Sequence, residues 1–236
     1  LVRRGKRCRV EKATIAAWGQ WKITYSGQQL NQQDFDCWLQ VIDMAKFTGT
    51  GRAVQFSVIE MLKAMGKKAG NSQYQWLRAS LDRMFEGTVR MSSTDGDQYN
   101  GRLIDAYSYS ERNHAYTLRV NPELAELFGT DYTRMLLAAR QDLRTDLAKW
   151  LQGYVCSHRA LPKDPHRIKI DRLHKLCGSQ SAAKEFTRML KKSLTDLQRV
   201  GVVEHWDITA DKVVEFVRTY RKSLPVENDG ISHTDH

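Results

Sequence analysis

No apolar run in this sequence approaches the ~20 residues that crossing a bilayer requires, so no membrane partner is expected. Cysteine is sparse. Cys8, Cys37, Cys156 and Cys177 lie far apart, and the basic start, apolar centre and small-residue cleavage site of a secretory signal are not visible. Free thiols in a reducing cytoplasm are the expectation. Catalytic signatures are missing as well. No G-x-x-x-x-G-K-[ST] loop occurs, so ATP hydrolysis would belong to partners. The seven histidines contain no His-x-His pair of the kind that holds a nickase metal beside a nucleophilic tyrosine. The nearest metal pattern is Cys156-x-His158 with His174-x-x-Cys177. Cys156 falls on the inner side of an amphipathic helix, so a buried thiol with surface histidines accounts for the pattern better than zinc. A binding protein without cofactor or metal is expected, not an enzyme.

What the sequence does have is positive charge, a net +10, and it is unevenly placed. Residues 1–12 hold six basic side chains (Arg3, Arg4, Lys6, Arg7, Arg9, Lys12) against Glu11. Residues 159–199 hold eleven basic against four acidic. Clustered positive charge is the electrostatic footprint of a polyphosphate, because each neutralised phosphate releases condensed counterions. Charge alone does not separate DNA from RNA or anionic lipid, and a solvated basic surface carries the same excess.

With 41% hydrophobic residues, the 236-residue chain can bury one large core or two small ones. The basic start, residues 1–20, has no periodicity and reads as an arm. A strand from Trp21 to Tyr25 leads to a helix from Gln33 to Lys46, with Phe35, Trp38, Leu39, Ile42 and Ala45 at three- and four-residue steps. A strand over Ala53 to Phe56 ends at Ser57, which with Glu60 fits a capping box opening a helix to Met65. Asn71-Ser72 can cap the next helix, whose buried stripe is Tyr74, Leu77, Leu81 and Met84. Strands follow at Thr88 to Ser92, Arg102 to Ser110 and Tyr116 to Val120, with 93–101 as a polar hairpin link tipped by Asp95-Gly96-Asp97. Two helices and then a hairpin is the order of a winged helix, and that hairpin is the expected wing.

The order nearly repeats. A short helix from Asn121-Pro122 to Phe128 precedes an amphipathic one from Asp142 to Cys156 and a loop over Ser157 to Arg167. A strand at Ile168 to Ile170, a helix capped by Asp171, a turn at Gly178-Ser179, a helix from Ser181 to Arg199 and a hairpin around 208–211 complete it. The fold class is α+β, two tandem winged-helix domains: the arm over 1–20, the first domain over 21–130, the second over 131–224, and a polar, disordered tail over 225–236.

Several segments, in order, resemble one known family, the TrfA-type plasmid replication initiators. They are Lys22-Ile23-Thr24-Tyr25-Ser26-Gly27 with Leu30 and the helix holding Trp38; Tyr74 with Leu81 to Met84; Ser157-His158-Arg159; Leu176-Cys177-Gly178-Ser179 with Ser181; and Gly201-Val202-Val203-Glu204-His205. The resemblance spans roughly residues 22 to 206. It implies tandem winged helices, binding of double-stranded origin DNA at direct repeats (iterons), opening of adjoining AT-rich DNA that becomes single-stranded, and recruitment of the host replicative helicase and sliding clamp. It also implies a homodimer inactive for binding, in a bacterial cytoplasm, from a plasmid-borne gene. The family's glutamine-leucine clamp motif does not occur among these residues.

In the helix from Ser181 to Arg199, Ala183, Phe186, Leu190, Leu194 and Leu197 are expected to face the core. Lys184, Arg188, Lys191 and Lys192 then face outward, with Thr187, and Ser179, Gln180 and Ser181 lead in. This pattern suits a major groove, where Arg and Lys reach guanine and phosphates are neutralised from the sides. The helix from Ser72 to Phe85 offers a second set, Ser72, Gln73, Gln75, Arg78 and Arg83, and Arg102 and Arg159 are candidate phosphate contacts. An ordinary solvated helix face is the competing account of both. Two other functions fit the composition: a transcriptional regulator on an operator, with the same fold, and a nickase. Spaced repeats beside AT-rich DNA distinguish the initiator from a regulator on a palindrome, and nicking of supercoiled DNA with divalent metal identifies an enzyme.

Overall fold

The computed structural model describes residues 7–18, 21–45, 53–122 and 136–220. The expected helix at 121–128 and the tail beyond 224 fall largely or wholly outside them, as do Arg3, Arg4 and Lys6.

The first half opens with β1 (Arg9–Trp18) and β2 (Trp21–Gln28), followed by α1 (Gln32–Ala45), β3 (Ala53–Ser57), α2 (Val58–Ala64) and α3 (Asn71–Glu86). Four strands complete it: β4 (Thr88–Ser93), β5 (Gln98–Arg102), β6 (Ile104–Ser110) and β7 (Ala115–Val120). The expected arm is a strand over residues 9–18, paired antiparallel with β2. Its alternation is hidden because register shifts fall between Val10 and Ala13 and between Thr14 and Ala16, with Lys12 at φ 45°. The hairpin at Asp95-Gly96-Asp97 is not the wing: it joins β4 and β5 of a four-stranded sheet, β1-β2-β4-β5. The wing is β6–β7, turning at residues 111–114 and completed by β3 in the sheet β3-β7-β6. The polar run 93–101 conceals β5 because Gln98–Arg102 alternates exposed and half-buried residues with Tyr99 as its single large apolar member.

Ser57 forms both halves of the capping box, its Oγ accepting from the Glu60 N–H at 3.1 Å and its own N–H donating to Glu60 Oε2 at 2.7 Å. Neither Asn71 nor Ser72 caps α3; Gly70 does, without a side-chain bond. Val54, Phe56, Met61, Leu62, Leu77, Leu81, Met84, Ile104 and Leu118 form the first core. Tyr74, expected in the stripe, is exposed.

The second half contains α4 (Leu137–Gln141), α5 (Asp146–Cys156), β8 (His166–Lys169), α6 (Ile170–Leu176), α7 (Ala183–Arg199), β9 (Val203–Ile208) and β10 (Val213–Arg218). The expected helix from Asp142 starts later, at Asp146, behind a true cap, Thr145 Oγ1 accepting from the Ala148 N–H at 3.1 Å. Asp171 does not cap α6; Lys169 is its N-cap residue. A separate core joins Leu147, Leu151, Leu173, Phe186, Leu190, Leu194, Leu197, Val214 and Phe216 beneath the sheet β8-β10-β9. Strand, helix, turn, helix and hairpin thus recur, so the fold is a tandem winged helix.

The halves meet at a buried charge. Arg140, 2% exposed, donates through Nε to Asp36 Oδ1 at 2.6 Å and through Nη2 to Gln32 Oε1 at 2.8 Å, and its guanidinium lies 4.9 Å from the Phe35 ring centre. Lys149 pairs with the same Asp36, and Gln141 Nε2 donates to the Ala64 carbonyl at 2.5 Å.

Candidate nucleic-acid interface

Phe186, Leu190, Leu194 and Leu197 are fully buried, which pins one face of α7 to the core and forces the opposite face outward. Lys184, Arg188, Lys191 and Lys192 are all exposed there. Ala183, expected inside, is exposed as the first residue of α7, one turn before the helix meets the core at Phe186. Thr187 is half-buried, with Oγ1 donating to the Ala183 carbonyl at 2.9 Å. Ser179 and Ser181 lie in the turn before α7 with hydroxyls 2.9 Å apart, and Gln180 between them is exposed.

Two cavities flank the helix. One, of about 590 Å³, lies between Lys184 and Thr187 of α7, Lys169 and Asp171 at the start of α6, and Asp211 and Lys212 of the β9–β10 turn. Lys212 holds φ 60° and its carbonyl accepts from the Ile170 N–H at 3.0 Å, so the wing turn is tied to the first helix of the pair. The other, of about 570 Å³, is lined by Ser179, Ser181, Glu185, Arg188 and Lys192 with Arg144 and Thr145 before α5. Arg144, Lys169 and Lys212, none of them expected from the sequence, therefore join the cationic rim. The turn residues 208–211 pointed toward Lys212, whereas nothing local marks Arg144.

Arg188 is not a free cation. Its Nε and Nη2 donate to Glu185 at 3.0 and 2.6 Å, and this hydrogen-bonded guanidinium holds the Glu185 carboxyl below the usual carboxylate range.

The first half presents a weaker set. Ser72, Gln75 and Arg78 are exposed on α3 and Gln73 is half-buried. Arg83, expected on the DNA-facing side, is instead 8% exposed and points inward to Asp34, with Nη2 at 2.6 Å and Nε at 3.2 Å from Oδ1. The cause is that Asp34 on α1 is fully buried, and its charge requires a partner. Arg102 is exposed on β5, its guanidinium 4.9 Å from the Phe85 ring centre, and Arg159 is exposed on the loop after α5.

The cysteine and histidine pairs are placed apart from any metal geometry. Burial pushes the Cys156 thiol up, His158 Nδ1 lies 2.7 Å from the Tyr154 carbonyl, His174 stacks on Phe186 at 4.4 Å, and Cys177 Sγ lies 3.3 Å from the His174 carbonyl. Among the described residues no group of three His, Cys, Asp or Glu side chains is arranged to hold a metal ion.

The profile of the family described as TrfA protein matches residues 7–218. The chain is similar to the "Replication protein RepA" of Salmonella typhi, 26% identical over 208 residues, covering 85% of this chain and 58% of that protein. It is also similar to the "Plasmid replication initiator protein TrfA" of Escherichia coli, 24% identical over 199 residues, covering 81% and 51%. The chain thus spans between half and two thirds of these relatives. Its fold is similar to RctB domains 2–3, with TM-score 0.66, 12% identity, and coverage of 90% of this chain and 92% of that one. It is likewise similar to Pi initiator protein solved in complex with iteron DNA, with TM-score 0.58, 14% identity, and coverage of 89% and 99%.

Proposed function

The chain belongs to the TrfA family, and from that premise we propose that it is a plasmid replication initiator binding direct repeats in double-stranded origin DNA. The observation that carries the reading is α7, anchored by Phe186, Leu190, Leu194 and Leu197 and offering Lys184, Arg188, Lys191 and Lys192 to solvent beside a wing. A helix of that kind fits a major groove, with Arg and Lys reaching base edges and phosphates.

Two unequal winged helices in one chain cover successive grooves without two-fold symmetry, which favours one chain per repeat, arranged head to tail. Adjoining AT-rich DNA opens to single strands once the array forms, and the host helicase is recruited there. The chain has no catalytic role in this scheme. The sliding clamp is a partner of the whole family protein, and its contact is not assigned to these residues. A homodimer that does not bind repeats stands in equilibrium with the binding monomer, and the setting is the cytoplasm of a plasmid-bearing bacterium.

The test uses supercoiled plasmids carrying either spaced direct repeats beside AT-rich DNA or a single palindrome, with native mass spectrometry of a one-repeat duplex and permanganate probing for unpaired thymine. One chain per repeat and permanganate reactivity confined to the repeat plasmid are expected. Two chains on a palindrome, without opening, would establish a regulator instead.

A further inference from the structure

The face that α7 turns outward carries an acid among its cations. Glu185 lies one turn before Arg188, and both side chains are exposed, at 46% and 72%. An exposed pair at this spacing adds little to stability. On a surface that meets a polyanion, a carboxylate also opposes attachment to every phosphate, because it works against counterion release. Neither folding nor general affinity accounts for it.

The geometry of the pair does. A guanidinium has two bidentate edges, the Nε–Nη side and the Nη–Nη end. Glu185 takes the side edge of Arg188, with Oε2 3.0 Å from Nε and Oε1 2.6 Å from Nη2. The end edge is left for another acceptor, and its fork matches guanine O6 and N7. The same two residues line the cavity between α7 and the start of α5, with Ser181 and Arg144 on its walls. Arg188 is therefore biased toward the rim of a cleft over other positions on the surface, and less rotamer freedom remains to be lost on binding. A rejecting charge beside an attracting one is also how selectivity is gained without affinity.

Resting on the duplex-reading role above, we infer that Glu185 is a specificity-determining, positioning residue of the second reading helix. It presents Arg188 end-on to one guanine and weakens attachment to DNA of any other sequence.

The test titrates wild type, Glu185→Ala, Glu185→Gln, Arg188→Ala and the Glu185→Ala/Arg188→Ala double variant. The probes are a duplex that wild type selects from a randomised pool, every single-base substitution of it, and random duplex, at several salt concentrations. Glu185→Ala is expected to bind random duplex as tightly as wild type or more tightly, with a salt slope steeper by up to about one. It should lose about tenfold in discrimination at a guanine, part of what a bidentate arginine–guanine pair supplies. That guanine should be the one at which Arg188→Ala loses discrimination, and the double variant should match Arg188→Ala. Glu185→Gln, which keeps an acceptor without the charge, should fall between. Discrimination kept at every position in Glu185→Ala, or lost evenly at all of them, overturns the inference. If wild type selects no sequence from the pool, the duplex-reading role itself falls and the inference with it, so the two failures are distinct.

Discussion

Arg83→Ala separates the two roles open to a cation on α3. The guanidinium makes two hydrogen bonds to Oδ1 of Asp34, whose other partners among the described residues include the Ser80 hydroxyl at 2.8 Å, the Asn31 N–H at 2.9 Å and Arg7. Removing one member of a buried ion pair costs about 3–5 kcal/mol. Arg7 and Ser80 stay in place, so the lower end applies, about 3 kcal/mol, which for a chain of this size lowers Tm by roughly 6–12 °C. The sign with pH follows from Asp34. Burial alone would raise its pKa, but hydrogen bonds from Arg83, Arg7 and the Asn31 N–H outweigh burial and hold the carboxyl below its usual range. A depressed folded pKa contributes stability that is full above the unfolded value, about 3.9, and lost as pH falls through the folded value. Without Arg83 that depression shrinks, so the deficit of Arg83→Ala is largest at neutral pH and narrows below the ordinary carboxylate range. The assays are thermal unfolding by circular dichroism across pH and duplex binding well below the transition, where base discrimination should match wild type. An Arg83→Ala protein that melts like wild type but discriminates less between bases would refute the reasoning.

Arg140→Ala leaves Asp36 with Lys149 alone and removes the buried link between the halves, so a loss of about 3 kcal/mol is expected. Calorimetry should then resolve two transitions in place of one, and a single unshifted transition would count against the link. Lys191→Ala and Lys192→Ala should weaken selected and random duplexes alike and reduce the salt slope by roughly one each, whereas a loss confined to the selected duplex would make them base readers. At Gly87 an added Cβ meets Tyr25 Oη at 2.3 Å and Cε2 at 2.7 Å, and Tyr25 is buried with its hydroxyl bonded to the Gln28 carbonyl at 2.9 Å. Gly87→Ala should destabilise by about 1–3 kcal/mol, and adding Tyr25→Phe, which deletes the nearest atom, should recover part of it. No recovery in urea unfolding would place the strain elsewhere.

The sequence made visible what depends on local pattern. The Ser57/Glu60 box, the buried residues Phe186, Leu190, Leu194 and Leu197, and the outward Lys184 and Arg188 follow from spacing along one helix. What it concealed depends on partners distant in the chain. Arg83 looks like a reader until Asp34, 49 positions away, is seen buried opposite it. Arg9–Trp18 looks like an arm because a strand interrupted by bulges loses its alternation, and its partner β2 is apparent only once the chain is folded. The wing lies one hairpin later than the good turn at Asp95-Gly96-Asp97 suggests, because turn chemistry reports that a hairpin exists, not which sheet it joins. Glu185 does not stand out in the sequence, since a charge of the wrong sign on a basic helix gains meaning only from the orientation of the guanidinium it holds.

The two halves share an order of elements but differ in where they put charge, and that difference follows from packing. In the first half a fully buried acid on α1 draws Arg83 inward and leaves Arg78 as the exposed cation of α3, with Asp82 and Glu86 on later turns. In the second half no acid is buried among the described residues, so no carboxylate draws the basic side chains of α7 inward. On the proposed reading, the second helix would grip and read, and the first would read weakly through Ser72, Gln75 and Arg78. Such an asymmetric pair selects a repeat only if its two readers keep a fixed offset. Arg140 supplies that constraint, since a guanidinium bonded at once to Asp36, Gln32 and the Lys149 carbonyl cannot follow one half without the other. On the proposed reading, specificity for a spaced site would depend as much on this buried contact as on the exposed helix face, because a slackened joint would let each half bind DNA while losing the register between them.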